Sequence, residues 1–253
     1  VPPGAVEARY VVAQALRVLA PGGALVAAAP KDRGGLRLKR TLEGFGCEVA
    51  ETARRHHRIC AVERPATLIG LEEAIAEGAP RQMPSGLWSQ PGVFSWERLD
   101  SGSELLLKHL PKLKGQGADL GAGIGWLSRA VLTSPDVTKL RIIELDRRAY
   151  DCARRNIEDE RATIEWADVR NVAPPLADLD FVVMNPPFHD GGAEDRALGQ
   201  AFIRVASSAL RKGGTLWLTA NRHLPYETVL NEAFKVVKPV ADASGFKIYE
   251  ARR

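Results

Sequence analysis

Apolar residues along the second half of the chain follow two alternating patterns. Spacings of three to four positions, which predict helices, occur in five segments: 104–110, 126–132, 147–156, 195–210 and 227–234. Short apolar runs between them predict buried strands, at 140–143, 163–166, 181–184 and 215–219. Two last strands follow at 235–240 and 246–250. Strands that alternate with helices predict an α/β fold built on an open sheet.

The first 64 residues repeat the pattern of the C-terminal end. A helix at 5–19 precedes a strand at 24–29, a helix at 36–43 and strands at 47–52 and 57–63. The heptapeptide Leu19–Leu25 (LAPGGAL) also looks like Leu210–Leu216 (LRKGGTL). We infer an internal duplication, in which residues 1–64 form a partial, degenerate copy. Its front half would precede Val1, and because Val1 is not an initiator Met we expect the chain to be a fragment or a processed form.

Glycines and prolines punctuate residues 65–90, which predicts a linker that carries one short helix at 71–77. The second domain then spans residues 91–253. With 253 residues, the chain is long enough for two such domains.

Composition narrows the classes of function. The net charge of +4 and the pI near 9.1 permit an RNA partner without demanding one. Three separated cysteines, Cys47, Cys60 and Cys152, predict free thiols in a reducing cytoplasm, mostly as small core residues, and no metal site. The sequence has no apolar run long enough to predict a membrane span, and its start does not resemble an export signal. The basic run 54–58 is interpreted as a solvated edge strand in preference to an RNA contact.

The stretch Asp180–His189 predicts a buried strand that stops at a rigid polar loop. Pro186 and Pro187 have no N–H to donate, so they end the strand, and Pro186 keeps Asn185 extended. The Asn185 amide is therefore presented at the carboxyl end of a strand, where open α/β sheets bind ligands. Phe188 adds a flat surface for a planar ring. The alternative is a Pro-Pro turn that only caps the strand.

A glycine-rich loop supplies a second set of candidates. Gly121, Gly123 and Gly125 follow a short strand and precede a helix, and Asp119 stands just before them. This G-x-G-x-G loop and the acidic Asp119 suit a cationic ligand better than a pyrophosphate. Glu144, at the end of the next strand, is placed to accept hydrogen bonds from both hydroxyls of a ribose.

Two further carboxylates complete the candidates. Asp168 ends the third strand and is suited to accept from an adenine amine, although it could equally be a turn or N-cap residue. Asp100 stands in the Asp/Ser-rich start of the helix at 104–110, and a helix start can hold a carboxylate group.

Together, these motifs resemble the class I S-adenosylmethionine-dependent methyltransferases, and within them the RsmC/RlmG family of rRNA guanine-N2 methyltransferases. The closer likeness rests on residues 92–95 (GVFS), 99–100 (LD), 185–191 (NPPFHDG) and the A-N-x-x-L-P-Y pattern at 220–226. The resemblance implies a Rossmann-like doubly wound sheet, mostly parallel with an antiparallel C-terminal strand, after a truncated degenerate copy of the same fold. The short first domain departs from the family pattern.

The resemblance also implies roles for the candidates. Those assigned to S-adenosylmethionine are Asp100, Asp119, Gly121, Gly123, Glu144, Asp168 and Asn185, with Asp119 and both glycines at its methionine end. Asn185 and the carbonyl of Pro186 would accept hydrogen bonds from the target amine, Phe188 would stack on the guanine, and His189 would remove the proton or contact phosphate.

The implied activity is methylation of the N2 amine of a guanine in rRNA by a cytoplasmic, monomeric enzyme that acts within the 30S subunit, most simply on 16S rRNA. The alternatives are a 23S rRNA guanine, an adenine N6 or protein glutamine amine, and a non-catalytic cofactor-binding RNA-assembly factor.

Overall fold

A computed structural model describes residues 1–187, 189–190, 193–194 and 196–253. The chain forms two compact units. The first contains Val1–Arg81 and Gln90–Gly92, and the second contains Gln82–Ser89 and Val93–Arg253.

The first unit is a three-stranded antiparallel sheet with helices on one face. Its elements are α1 (Ala5–Val18), β1 (Ala24–Pro30), an irregular turn (Lys31–Gly35), α2 (Leu36–Glu43), β2 (Ala50–Arg54), β3 (His57–Glu63) and α3 (Leu71–Gly78). The strand order is β1-β3-β2. The core contains Leu16, Leu42 and Phe45, all buried. The helix predicted inside the linker is α3, which packs against α1.

One strand of this unit begins later than predicted. The prediction started at Cys47, but β2 starts at Ala50. Cys47 is buried, and its N–H donates to the Leu42 carbonyl at the end of α2 (3.3 Å). The backbone there completes the helix end, so it is not available to pair with β3.

The second unit carries the remaining elements. Two short strands come first, β4 (Arg81–Gln82, which begins on the last residue of the first unit) and β5 (Trp88–Ser89). The others are α4 (Ser101–His109), β6 (Gly115–Leu120), α5 (Trp126–Leu132), β7 (Val137–Glu144), α6 (Arg147–Asn156), β8 (Ala162–Trp166), a 3-10 turn (Val169–Asn171), β9 (Leu179–Met184), β10 (His189–Asp190), β11 (Ala193–Glu194), α7 (Arg196–Ala209), β12 (Leu210–Asn221), α8 (Glu227–Ala233), β13 (Val236–Ala243) and β14 (Phe246–Arg252).

Seven of these strands form one sheet in the order β13-β14-β12-β9-β6-β7-β8. Neighbouring strands from β12 to β8 are parallel, and β14 is antiparallel to both β12 and β13. The predicted fold class is confirmed. The chain leaves β6 toward β7 and β8 and then returns to the other side at β9. In such sheets the carboxyl ends of the strands on either side of the reversal form the ligand crevice.

The central strand β9 is buried on both faces. Val182 and Met184 join the core on one side, and Phe181 and Val183 join the core on the other. The neighbouring β6 has a glycine opposite the Phe181 ring, and a Cβ atom on Gly117 would lie 2.1 Å from that ring. Both side-chain layers therefore hold the strand that leads to Asn185 in register.

The two units share a local hydrogen-bond pattern that fits the inferred duplication. Gly22 has φ +79° and donates to the Arg64 carbonyl, and Gly213 has φ +78° and donates to the Arg253 carbonyl. In return, the N–H groups of Arg64 and Arg253 donate to Gly23 and Gly214. The strand orders β1-β3-β2 and β12-β14-β13 also correspond.

The basic run 54–58 lies on the hairpin of the first unit. Arg55 and His56 form its two-residue turn, both with positive φ, and all five residues of the edge strand β2 are exposed. All three cysteines are free and buried, as predicted. Within the described ranges no helix is long and apolar enough to cross a membrane. The same ranges contain no cluster of three His, Cys, Asp or Glu residues that could hold a metal ion.

Candidate active site

The glycine-rich loop joins β6 to α5 by a path that requires glycine. Gly121, Gly123 and Gly125 have φ values of +73°, +58° and +95°, a region that side chains other than glycine rarely adopt. The N–H groups of Gly121 and Ala122 donate to the Ile143 carbonyl (2.9 and 3.1 Å), which ties the loop to β7. A Cβ atom on Gly123 would meet no atom within 4 Å, so the backbone there faces open space.

Asp119 lies beneath this loop, fully buried near the end of β6. Its Oδ2 atom accepts a hydrogen bond from the Ser128 hydroxyl (2.5 Å), while Oδ1 has no partner within the described residues. Burial, reinforced by the nearby Glu144 carboxylate and opposed by Ser128, raises the pKa of Asp119 to about 7. A buried carboxyl group with an unpaired oxygen suits a cationic ligand.

Glu144 closes the same end of the sheet from β7. Its Oε2 atom accepts from the Gly123 N–H and its Oε1 atom from the Asp146 N–H, both at 2.7 Å. Burial raises the pKa of Glu144, although hydrogen bonds from the backbone N–H groups of Asp146, Gly123 and Leu145 favour its ionised form. The backbone bonds fix the orientation of the carboxylate, which has about four acceptor sites and can therefore still accept from a hydroxyl group.

Asp168 is an N-cap residue, one of the two roles considered for it, and its position also allows the other, which stays a prediction. It is the N-cap of the 3-10 turn, since its Oδ1 atom accepts from the Arg170 N–H (2.9 Å), and it lines the cavity described below. The Arg170 guanidinium also donates to both carboxylate oxygens (2.6–3.1 Å), and these bonds lower the pKa of Asp168. The carboxylate is therefore ionised and held at the end of β8.

Asn185 follows β9, and its amide is held by the start of α4. Nδ2 donates to Asp100 Oδ1 (3.1 Å) and to Ser103 Oγ (3.0 Å). Asp100 is the N-cap of α4, and the same Oδ1 atom accepts from the N–H groups of Gly102 and Ser103, both at 3.0 Å. Asp100, predicted as a cofactor residue, thus contacts Asn185.

A cavity of about 320 Å³ brings these residues together at the carboxyl ends of the strands. It is lined by Phe94, Gly121, Gly123, Glu144, Leu145, Asp168, Val169, Arg170, Asn185, Pro186, Pro187, Leu198 and Phe202. Six predicted residues are among them. Asp119 and Asp100 are not among the lining residues; Asp119 accepts from Ser128, and Asp100 accepts from Asn185. Phe188 lies outside the described residues, as does the side chain of His189, so their roles stay predictions.

Several contributors were not predicted. Leu145 and Val169 directly follow Glu144 and Asp168, so their position after an acidic strand end was an available signal. Phe94 is 56% exposed and belongs to a motif that the sequence singled out without a role. Ser128 gave no signal, because a serine in a helix has no distinctive pattern. Ser103 was part of the Asp/Ser-rich helix start, which predicts a cap but no contact with Asn185.

Known proteins are similar to this chain in sequence. The family model described as Methyltransferase small domain matches residues 85–250. Ribosomal RNA small subunit methyltransferase C of Shewanella loihica is 30% identical over 253 residues, which cover 97% of this chain and 73% of that protein. The chain belongs to the ribosomal RNA small subunit methyltransferase C family. The enzyme of the same name from Shewanella piezotolerans is also 30% identical to this chain, and the match covers 96% of this chain and 72% of that protein.

A solved structure extends the likeness of this RsmC-family chain to three dimensions. It is the Thermus thermophilus 16S rRNA N2 G1207 methyltransferase (RsmC), in complex with AdoMet and guanosine. The match has a TM-score of 0.83 at 28% identity and covers 99% of this chain and 70% of that one. The predicted resemblance to the RsmC family is confirmed.

The residues present fit S-adenosylmethionine, the cofactor of the family. The unpaired oxygen of Asp119 suits its ammonium group, Glu144 suits the ribose hydroxyls, and Asp168 with Val169 suits a flat base that carries an amine. Gly123 leaves room for a ligand to approach the backbone. These assignments remain those predicted from sequence.

Proposed function

We propose that this protein transfers the methyl group of S-adenosylmethionine to the exocyclic N2 amine of a guanine in 16S rRNA. The observation that carries the proposal is the Asn185 amide, which stands in the wall of the cavity with both of its N–H groups already engaged. Its oxygen is then the atom left to bind a ligand, and an oxygen accepts from an amine. The T. thermophilus relative, which acts on guanine N2, supports that target.

The chain's own residues act by positioning. The lone pair of an aromatic amine is delocalised into the ring, so the amine is a poor nucleophile until its nitrogen is made pyramidal. Acceptors at Asn185 Oδ1 and the Pro186 carbonyl favour that geometry, because they hold the two N–H groups out of line with the attacking lone pair. S-adenosylmethionine supplies an electrophilic methyl group when bound. The proton that leaves the amine goes to His189 or to water.

We further propose that the target guanine is presented within the 30S subunit, and that the enzyme works as a cytoplasmic monomer. The guanine equivalent to position 1207, named for the T. thermophilus relative, is the first to test. A paired guanine would have to be flipped out of its helix to reach the cavity.

Incubation with radiolabelled S-adenosylmethionine tests the proposal. Unmodified 30S subunits, 50S subunits and naked rRNA serve as substrates, and nucleoside digests are then resolved. N2-methylguanosine from 30S subunits alone is the expected result. Label in 23S rRNA or in methyladenosine would replace the proposed target with one of the alternatives. Cofactor binding without label in any RNA would favour the non-catalytic alternative.

The variant Asn185→Ala should abolish transfer and leave cofactor affinity within about threefold, because it removes the acceptor for the amine without touching Asp119 or Glu144. Asn231→Ala, at an exposed asparagine of α8 that does not line the cavity, is the matched control. Retained turnover in Asn185→Ala would refute the assignment of the acceptor.

A further inference from the structure

We infer that Asp100 and Ser103 are positioning residues that set the orientation of the Asn185 amide, and thereby make the cavity accept an amine and not a carbonyl. The inference rests on the proposed function for its substrate, but its geometry does not depend on the identity of the RNA.

The amide nitrogen has two hydrogens and the structure supplies an acceptor for each. Asp100 Oδ1 lies 3.1 Å and Ser103 Oγ 3.0 Å from Nδ2. Ser103 is 5% exposed, so little water competes for this bond. An amide whose nitrogen is saturated in this way turns its oxygen to the opposite side.

Asp100 makes the reverse orientation unfavourable. If the amide were flipped, Asn185 Oδ1 would face a carboxylate oxygen, which has no hydrogen to donate. Ser103 alone could not decide the orientation, because a hydroxyl group can either donate or accept. The two residues thus have separate parts: Asp100 excludes one orientation, and Ser103 takes up the second hydrogen.

The N-terminus of α4 holds Asp100 in place for this purpose. The oxygen that contacts Asn185 also accepts from the N–H groups of Gly102 and Ser103 (3.0 Å each), and Ser95 Oγ lies 3.3 Å from the other oxygen. The carboxylate therefore cannot turn away without losing its cap bonds. A single atom, Asp100 Oδ1, therefore caps α4 and orients the Asn185 amide.

This arrangement has a consequence for specificity. With Oδ1 directed to the substrate side, the site complements an exocyclic amine, such as guanine N2, and repels a carbonyl oxygen. A disordered amide would complement either group, and it would spend only part of the time in the productive orientation. Loss of either positioning residue should therefore lower kcat while leaving cofactor affinity unchanged.

Ser103→Ala is the sharpest test, because it removes the hydroxyl acceptor and keeps the backbone N–H that Asp100 caps. We expect kcat to fall about fivefold, the value of one net hydrogen bond, with the Kd for S-adenosylmethionine unchanged. Ser101→Ala, at an exposed serine of the same helix, should behave as wild type. The kcat of Asp100→Ala should fall further than that of Ser103→Ala. Asp100→Asn keeps a side-chain oxygen that can accept from the N–H groups of Gly102 and Ser103 and from Asn185 Nδ2, so it should retain most of the wild-type kcat.

Nuclear magnetic resonance supplies a readout that needs no substrate. The side-chain amide of Asn185, assigned from its loss in Asn185→Ala, should exchange slowly with water in wild type and quickly in Ser103→Ala and Asp100→Ala. An amide that exchanges equally in all of them would overturn the inference. A raised Kd for the cofactor in Asp100→Asn or Ser103→Ala would overturn it too, since these residues would then belong to the cofactor site. Slow exchange in a protein that methylates no RNA would instead count against the proposed function alone.

Discussion

Replacing Asp119 with Asn should make the cofactor-free protein more stable at neutral pH. The reason is that the carboxyl group is fully buried beside Glu144 and has one oxygen without a partner. Burial raises its pKa from 3.8 to about 7. Asparagine has nearly the same shape and can keep the Ser128 bond, but it carries no charge.

The magnitude follows from linkage. Between about pH 4 and pH 7 the unfolded chain has released the Asp119 proton and the folded protein has kept it. Folding stability therefore falls as pH rises, by about 1.4 kcal/mol per pH unit for this one group. The difference of about three pKa units corresponds to about 4 kcal/mol in total, and the loss levels off above pH 7. Below pH 4 the group is protonated in both states and contributes no difference.

Tryptophan fluorescence during urea unfolding can measure this effect in the relevant part of the protein. All five tryptophans, at positions 88, 96, 126, 166 and 217, lie in the second unit. From pH 5 to pH 7, Asp119→Asn should gain about 2 kcal/mol relative to wild type, because the slope already flattens as pH approaches the folded-state pKa of about 7. A difference between the two proteins that does not change with pH would refute the reasoning, because a lost hydrogen bond or a packing change has no such slope.

The same substitution should weaken the binding of S-adenosylmethionine. A cationic ligand favours the ionised form of Asp119, so wild-type affinity should rise as pH increases through 7, and the affinity of the variant should be flat in that range. Calorimetric titration at several pH values would show both trends. A variant with higher stability and lower affinity would show that Asp119 favours cofactor binding and lowers the stability of the cofactor-free protein.

Two further predictions concern the core. Gly117→Ala should destabilise the second unit by about 1–3 kcal/mol, because its Cβ would lie 2.1 Å from the Phe181 ring. In the same fluorescence assay, adding Gly117→Ala to Phe181→Ala should lower the stability little further, since the ring is then gone. A fully additive loss of stability would contradict the contact. The thiols of Cys47, Cys60 and Cys152 should react with a thiol reagent at pH 8 only after unfolding. All three residues are at most 5% exposed, and burial raises the pKa of each thiol, to about 11 for Cys152. Rapid modification of the native protein would contradict their burial.

The sheet and most of the cavity wall were predictable because their signals are local. A run of apolar residues that ends in Asn-Pro-Pro specifies both a strand and its end, and glycines at 121, 123 and 125 specify a turn that only glycine permits. Glu144 and Asp168 were placed correctly at strand ends because parallel strands bring those ends to one edge.

The contacts between distant segments were not predictable in the same way. Ser103 is 82 positions from Asn185, and nothing in a cap sequence says that its hydroxyl group will meet an amide from another strand. Asp100 was expected to serve the cofactor, since a helix start suits a carboxylate, and its neighbour became visible only when α4 was packed onto the sheet. The later start of β2 has a similar origin, in a helix-end bond that local propensity does not report.

The alternation along β9 has a consequence for how this protein can change in length. Phe181 and Val183 face the side of the sheet on which α4 packs. Asn185 is two positions further on, so its side chain faces the same side and contacts Ser103. Insertion or deletion of a single residue between Phe181 and Asn185 would turn the amide to the opposite side and bring the wrong residues into both core layers. Changes by two residues would preserve the facing, whereas the exposed segment before the strand, around residues 173–178, imposes no such rule. Length variation among functional relatives should therefore collect before Leu179 and be absent, or even-numbered, from there to the prolines.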